Sequence, residues 1–276
     1  KYRKDMEVVL GDIRDFDSVY KAMANCDAVF HLAALIGIPY SYVSPVAYIK
    51  TNIEGTYNVL ESARMHNLGE VLITSTSEIY GSAQFVPINE THPMVGQSPY
   101  SASKIAADQL ALSYHKSFDL PLKIVRPFNN YGPGLNLNDK RILPDLARNM
   151  LRNEDLILLS DGLATRTFCY VSDAVTGYVK ILVKGNTGES YNIGIESPEI
   201  NMRKLAQYVA EIGSKEFGYD GNISFMESSD PAYLTDNPNR RCPDISKARS
   251  ELDYDPKVSL DEGLLKTIIW YGDNRE

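Results

Sequence analysis

The sequence predicts an α/β fold, a doubly wound parallel sheet that carries a smaller C-terminal α/β lobe. Three observations lead there. Short, mainly apolar runs at 28–32, 70–74 and 122–126 read as buried strands. Segments of helical period lie between them, as a chain of βαβ units requires. The run at 70–74 ends in Ser75-Thr-Ser-Glu78, which sets hydroxyls and a carboxylate at the carboxyl end of a strand. Open α/β sheets bind their ligands there.

Taken in order, Met6-Glu-Val-Val-Leu10 and Gly11-Asp-Ile-Arg-Asp15 read as a first strand ending at Asp12 and Ile13. An Asp helix cap at Asp15 or Asp17 explains the acidic residues equally well. A short helix is predicted over 17–25, then the strand Ala28-Val-Phe-His-Leu32 leading into Ala33 and Ala34. His31 fits a packed strand histidine better than a catalyst. Residues 35–45 read as a loop at the sheet's carboxyl edge. Its Tyr40 and Tyr42 are candidates for a pocket wall, and ordinary loop packing accounts for them as well.

The spacing of Tyr48, Ile49, Ile53, Tyr57, Leu60 and Ala63 predicts one long amphipathic helix over 46–66. A second helix begins at Pro99, which suits a first turn, and repeats apolar residues at Ala102, Ile105, Ala106, Leu110 and Leu112. The strand Leu122–Arg126 ends in a Gly- and Pro-marked loop, 127–134, whose asparagines offer amides to a ligand.

The smaller lobe starts near that loop. It is read as a helix at 143–152, a strand at 156–159, a turn at Asp161-Gly162 and a helix at 174–184 capped by Ser172 or Asp173. Residues 1–134 then make the sheet domain and 135–276 mainly the lobe, with a strand and helix near 190–217 returning to the sheet. The stretch 227–245 is polar and proline-punctuated, and helices at 246–252 and 260–271 close the chain.

With 276 residues and 43% hydrophobic content the chain can bury a sizeable core. Its net charge of −8 argues against a nucleic-acid surface, which needs clustered Lys and Arg. Cys26, Cys169 and Cys242 are far apart and have no Cys-x-x-Cys spacing, so neither a metal site nor a disulfide framework is expected. No apolar run reaches the roughly 18 residues of a membrane span and no signal peptide opens the chain. A soluble protein of the reducing cytoplasm is the expectation.

Tyr100 and Lys104 lie four apart on one helical face. A phenol is a poor base at neutral pH, and a nearby ammonium favours its phenolate. Tyr100 could then take a proton from a substrate hydroxyl held by Thr76, leaving Glu78 for a second proton transfer. A chain with 18 tyrosines carries a Tyr-x-x-x-Lys pair by chance. Its position one loop after a strand ending in Thr-Ser-Glu is the stronger signal.

S-T-S-E-I-Y-G at 75–81 followed by Y-S-A-S-K at 100–104 resembles the extended short-chain dehydrogenase/reductase superfamily, in the branch acting on nucleotide sugars. The resemblance runs along nearly the whole chain. It implies a Rossmann-type sheet, NAD as cofactor, a nucleotide-diphosphate sugar as substrate, and a homodimer paired through helices such as 46–66. Thr76, Ser77, Glu78, Tyr100 and Lys104 would be catalytic. Asp12 and Ile13 would lie beside adenine, Leu32, Ala33 and Ala34 along the cofactor, with Thr74, Tyr100 and Lys104 also on it. Asn52 resembles a buried asparagine that helps fix the strand carrying the active site. Asn129, Arg166 and Arg241 would hold the nucleotide sugar beside Tyr40 and Tyr42, and paired arginines suit a diphosphate. On its own, Arg166 reads as a surface charge. The family's glycine-rich loop and first βαβ unit are expected to lie outside this sequence.

The shared chemistry is oxidation at the sugar C4. A C5 carboxylate would then leave as CO2, as in UDP-glucuronate decarboxylases. With a hydroxymethyl at C5, Glu78 would remove the C5 proton and water would leave C6, as in 4,6-dehydratases of the UDP-N-acetylglucosamine or GDP-mannose type. Ser77 departs from the Asp usual in dTDP-glucose dehydratases, which counts against that substrate. I-P-Y-S-Y at 38–42 resembles UDP-N-acetylglucosamine dehydratases, whereas T-R-T-F-C-Y-V-S-D at 165–173 and R-R-C-P-D-I-S-K-A at 240–248 resemble the decarboxylases. The longer match favours decarboxylation. A 4-epimerase would leave Glu78 without a task, and a non-catalytic NAD-binding regulator is the reading from another class.

Overall fold

A computed structural model describes residues 5–138, 141–227 and 238–274. The Asp15 carboxylate accepts from the Asp17 amide and so caps helix α1 (Phe16–Ala22), after which comes strand β1 (Ala28–His31). Two short helices, α2 (Ile38–Val43) and α3 (Pro45–Tyr48), lead through a π-helical stretch, Ile49–Glu54, into α4 (Gly55–Met65). Strand β2 (Glu70–Thr74), a 3₁₀ turn (Ser77–Tyr80), helix α5 (Pro99–Phe118) and strand β3 (Leu122–Pro127) come next. After them are β4 (Asn130–Tyr131), α6 (Ile142–Leu151), β5 (Leu156–Leu158), β6 (Thr165–Arg166), β7 (Cys169–Tyr170) and α7 (Val171–Lys184). The chain continues through β8 (Ser190–Ile193), β9 (Ile200–Asn201), α8 (Met202–Phe217), β10 (Ile223–Phe225), β11 (Arg240–Arg241), α9 (Ser246–Leu252) and α10 (Leu260–Asp273).

The central sheet has the order β1-β2-β3-β8 and is parallel throughout. Val71 and Ile73 face α4 and α5, meeting Val59, Leu60, Ala63 and Ala111. Leu72 and Val125 face the other way, onto Ala174 and Ile181 of α7 and Ala248 and Leu252 of α9. Helices therefore cover both faces, which explains why apolar side chains dominate β2 and β3. Each such side chain contributes roughly 1.5–3 kcal/mol by leaving water.

The lobe has a core of its own, built from Leu143, Leu146, Leu156, Leu205, Val209 and Leu264 among others. Strand β8 joins the sheet beside β3. Helix α8 does not go back with it: Leu205, Ala206 and Val209 pack in the lobe with α6 and α10. Among the described residues no helix is long and apolar enough to cross a membrane.

Other sequence expectations are decided here as well. Residues 6–10 form no strand, and Leu10 is 100% exposed. β1 is the outer strand of the sheet, and among the described residues no strand lies beyond it to supply a ladder for Met6–Leu10. The helix expected over 46–66 runs unbroken from Pro45 to Met65, with a π-helical stretch, Ile49–Glu54, inside it. Helix α7 starts at Val171 without a side-chain cap, and Asp173 instead accepts from the amides of Lys257 and Val258. Most of the polar stretch expected over 227–245, residues 228–237, and the opening residues 1–4 lie outside the described residues.

Candidate active site

Strand β2 ends at Thr74, and the chain turns through Thr76, whose Oγ1 accepts from the Glu78 amide at 3.2 Å. That cap starts the 3₁₀ turn carrying Glu78. Gly81 ends it with φ +60, where a Cβ would stand 2.6 Å from the Val95 carbonyl oxygen, so only glycine fits. The turn is held in one shape.

Helix α5 opens with a Ser98/Ser101 capping box and Pro99 in its first turn. This rigid start sets Tyr100 one residue in and Lys104 a turn later, both buried. Burial pushes the Tyr100 phenol up to about 12, a hydrogen bond with the Thr76 side chain pulls it down, and Glu78 and Arg241 act in opposite senses. Arg241 is thus a cation that favours the Tyr100 phenolate.

Lys104 has another task. Its Nζ donates to the Thr74 carbonyl oxygen at 2.6 Å, and burial lowers it to about 8, with Asp108 opposing. Thr74 accordingly gives its carbonyl to Lys104, while its hydroxyl and that of Ser75 are buried without a partner.

Glu78 is ion-paired with Arg241 Nη1. Arg241 is 2% exposed, and its Nε and Nη2 find no acceptor among the described residues. It lies in β11 directly opposite Arg166 of β6. Burial lowers Arg166 to about 10, the Arg241 charge adds to that, and Glu78 and Glu199 oppose it. Two buried guanidiniums on adjoining strands repel each other, so the site suits an anion. Arg166 is far from the surface charge that its sequence context alone suggests: it donates to the carbonyls of Thr165 and Pro238 at 2.7 and 2.6 Å.

Asn52 accepts from the Leu35 amide at 2.8 Å and donates to the Leu35 carbonyl and Ser103 Oγ. It ties the loop after β1 to the helix bearing Tyr100, and does not reach the β2 strand that the resemblance suggested. His31 is buried, its Nε2 3.0 Å from Thr56 Oγ1. The Thr56 hydroxyl donates to the Asn52 carbonyl at 2.6 Å, so His31 must be the donor in its Nε2–H form.

The remaining expected residues are spread around this centre. Asp12 is exposed and paired with Arg14 at 2.5 Å, which holds its carboxyl down at about 2. The Ile13 carbonyl accepts from Asn58 on α4 at 3.0 Å. Leu32 and Ala33 are exposed beyond β1, Ala34 is half-buried, and Ser77 is buried. Tyr40 and Tyr42 ride on helix α2 rather than on a loop, and both are exposed. Asn129 adopts φ 40 and donates to the Thr167 carbonyl at 3.0 Å.

Some neighbours were not among the expected site residues. Tyr48 meets the Tyr100 ring edge-on, with centroids 6.2 Å apart. Asp108 grips Arg126 with both carboxylate oxygens, at 3.1 and 3.0 Å. Asp108 comes one helical turn after Lys104, so the periodicity of α5 held that clue.

The family described as GDP-mannose 4,6 dehydratase matches residues 1–267 of the chain. A dTDP-glucose 4,6-dehydratase of Streptomyces antibioticus is 36% identical over 267 residues, spanning 97% of this chain and 76% of that protein. UDP-glucuronic acid decarboxylase 3 of Arabidopsis thaliana is 37% identical over 247 residues, spanning 88% and 69%. Among solved structures, the dTDP-glucose 4,6-dehydratase DesIV of Streptomyces venezuelae, with NAD and TYD bound, superposes with a TM-score of 0.85 at 30% identity. That match covers 96% of this chain and 79% of DesIV.

Proposed function

The chain belongs to the GDP-mannose 4,6-dehydratase family, and from that premise we propose an NAD-dependent enzyme that acts on a nucleotide-diphosphate sugar through a 4-keto intermediate. UDP-glucuronate decarboxylation is the reaction best supported. The observation that carries it is the ion pair between Glu78 and buried Arg241, whose two remaining donor nitrogens have no partner among the described residues.

The residues present fit the reactive end of NAD. Partnerless buried hydroxyls of Thr74 and Ser75 lie at the end of β2, next to the tethered Lys104 ammonium, and Leu32 and Ala33 leave an open apolar shelf beyond β1. Thr74, Tyr100 and Lys104 would hold the nicotinamide end, Leu32 to Ala34 the middle, and Asp12 and Ile13 the adenosine end. NAD bound there would supply the acceptor for the sugar C4 hydride.

With the positively charged nicotinamide bound beside it, Tyr100 would ionise and, as the phenolate, accept the C4 hydroxyl proton while Thr76 keeps that hydroxyl hydrogen-bonded. Arg166 and Arg241 bind the anionic parts of the substrate, helped by Asn129. A ketone at C4 makes a C5 carboxylate a β-keto acid. The C5–carboxylate bond breaks, CO2 leaves with no base required, and the electron pair passes into the C4–C5 enolate, which is then protonated at C5. A carboxylate held by a guanidinium is a poorly poised base, which suits a reaction in which Glu78 need not remove the C5 proton.

The second reading is a 4,6-dehydratase, favoured by the similarity to a dTDP-glucose 4,6-dehydratase over 97% of the chain. It requires Glu78 to leave Arg241 and take the C5 proton. Mass spectrometry of products from UDP-glucuronate and from UDP-N-acetylglucosamine, with NAD added, separates the two. Loss of CO2 from the first is expected; loss of water from the second alone would establish the dehydratase, and no change in either would send the test to other nucleotide sugars and then to the non-catalytic regulator. A cytoplasmic protein that pairs as a homodimer through the helix over 46–66 accompanies this reading, the pairing supported by exposed Val46, Ile49 and Tyr57. Sedimentation of the protein tests it, a monomer counting against it.

A further inference from the structure

The Glu78–Arg241 pair joins two segments far apart in sequence. Glu78 sits in the 3₁₀ turn after β2 and Arg241 in β11 of the lobe. A shift of about 1 Å between reacting groups can cost about 100-fold in rate, so some structure must set their separation.

Asn192 of β8 is 0% exposed and touches both segments. Its Oδ1 accepts from the Tyr80 hydroxyl at 2.8 Å, and Tyr80 closes the turn that carries Glu78. Its Nδ2 donates to the carbonyls of Ile88 at 2.9 Å and Asp244 at 3.4 Å. Ile88 bonds in turn with the stretch just after Arg241: its amide donates to the Cys242 carbonyl and its carbonyl accepts from the Asp244 amide, each at 2.8 Å. The Asn192 amide N–H donates to Glu90 Oε1 at 2.7 Å, fixing the same loop from its other side. Both donors of the side chain are used, and its bonds end on three segments: the turn at Tyr80, the loop at Ile88 and the stretch after Arg241.

Arg126 reinforces the node. Its Nη1 donates to Tyr80 Oη at 3.1 Å and to the Glu90 carbonyl at 3.2 Å, while Asp108 takes its other nitrogens. The Tyr80 hydroxyl thus accepts from Arg126 and donates to Asn192, which leaves it no rotational choice.

We infer that Asn192 is a positioning residue for the acid–base pair, a single buried amide that sets the separation of Glu78 from Arg241 by holding the catalytic turn and the arginine strand together. The inference rests on the roles given above to Glu78 and Arg241. Removing the amide loosens both segments together, without touching either charged side chain.

The test reads the pair itself. In protein labelled with ¹⁵Nε-arginine, the Arg241 Nε–H resonance is assigned by its loss in Arg241→Lys, and Glu78→Gln defines its position when the pair is absent. Asn192→Leu is expected to move the signal at least halfway to that position, whereas Asn58→Leu, an equally buried amide on α4, leaves it unmoved. A folded Asn192→Leu protein with the signal unchanged overturns the inference. Tyr80→Phe, which deletes only the hydroxyl, decides the matter in the same way where Asn192→Leu does not fold. No substrate is involved, so failure to turn over any nucleotide sugar would count against the proposed function alone.

Discussion

Lys104 Nζ lies 2.6 Å from the carbonyl oxygen of Thr74, so the lysine of the Tyr-x-x-x-Lys pair is tied to the strand that delivers Thr76 and Glu78. The bond crosses from helix α5 to the end of β2. It makes Lys104 as much a joint between two elements as a charge beside Tyr100.

That joint carries a cost. Burial holds Lys104 at about 8, below its ordinary 10.5, so the unfolded chain binds more protons between those values and stability rises with pH across that window. Lys104→Met should remove the rise and, after the lost hydrogen bond is subtracted, stabilise the protein at pH 7 by about 1–2 kcal/mol. Turnover should be lost. Urea unfolding at pH 7 and 10 checks this, and a variant less stable at pH 7 contradicts it.

The two partners of the Glu78–Arg241 pair should respond unequally to removal. Arg241 is almost fully buried while the Glu78 side chain is 24% exposed. Glu78→Gln leaves a buried guanidinium without its counter-charge and should cost about 2–3 kcal/mol. Arg241→Met leaves a carboxylate that water can reach and should cost less. Equal losses in denaturant midpoint would show that the burial difference does not govern the pair.

Tyr100 should remain a phenol well above neutral pH in the protein without ligands. Burial pushes it up to about 12 and the Thr76 hydrogen bond opposes that. The ultraviolet difference between wild type and Tyr100→Phe should therefore show no tyrosinate below pH 10, and Thr76→Val should move its appearance higher still. A tyrosinate signal near pH 8 would falsify this.

His31 predicts loss of stability in acid. Burial, then the Lys104 charge, lowers it to about 3, beneath an ordinary 6.5, so the unfolded chain takes up a proton that the folded one refuses. Stability should fall as pH drops from about 6.5 toward 3, by about 3–4 kcal/mol from this group alone. His31→Gln keeps an amide donor for Thr56 and should flatten that part of the curve. Parallel curves for the two proteins would assign the acid loss elsewhere.

Asn52→Ala should strand the Leu35 amide and cost about 2–4 kcal/mol. Amide exchange locates the effect: protection should drop at Leu35, which Asn52 caps at 2.8 Å, and stay in β3. Uniform loss of protection would point to global rather than local damage.

Motifs close in sequence were legible before any coordinates. Thr76, Glu78, Tyr100 and Lys104 fall within one strand, loop and helix, and Arg241 stood out as a basic residue in an acidic chain. Their partners were less visible. Nothing in the spacing of residues 78 and 241 says that they pair, and the strand pattern of Met6–Leu10 gave no sign that it would find no neighbour.

Periodicity and composition by themselves determined the class of fold, the buried strands β2 and β3, and the helix carrying Tyr100 and Lys104, because those depend on local pattern and on which faces must leave water. Tertiary structure alone decided which charge acts on which group. Lys104 turns to the Thr74 carbonyl, Arg241 takes Glu78, and Asn192 binds their two segments. The physical reason is that Coulomb and hydrogen-bond energies depend on distance and burial. Both are set by how remote parts of the chain pack, and neither is written in the spacing of residues along it.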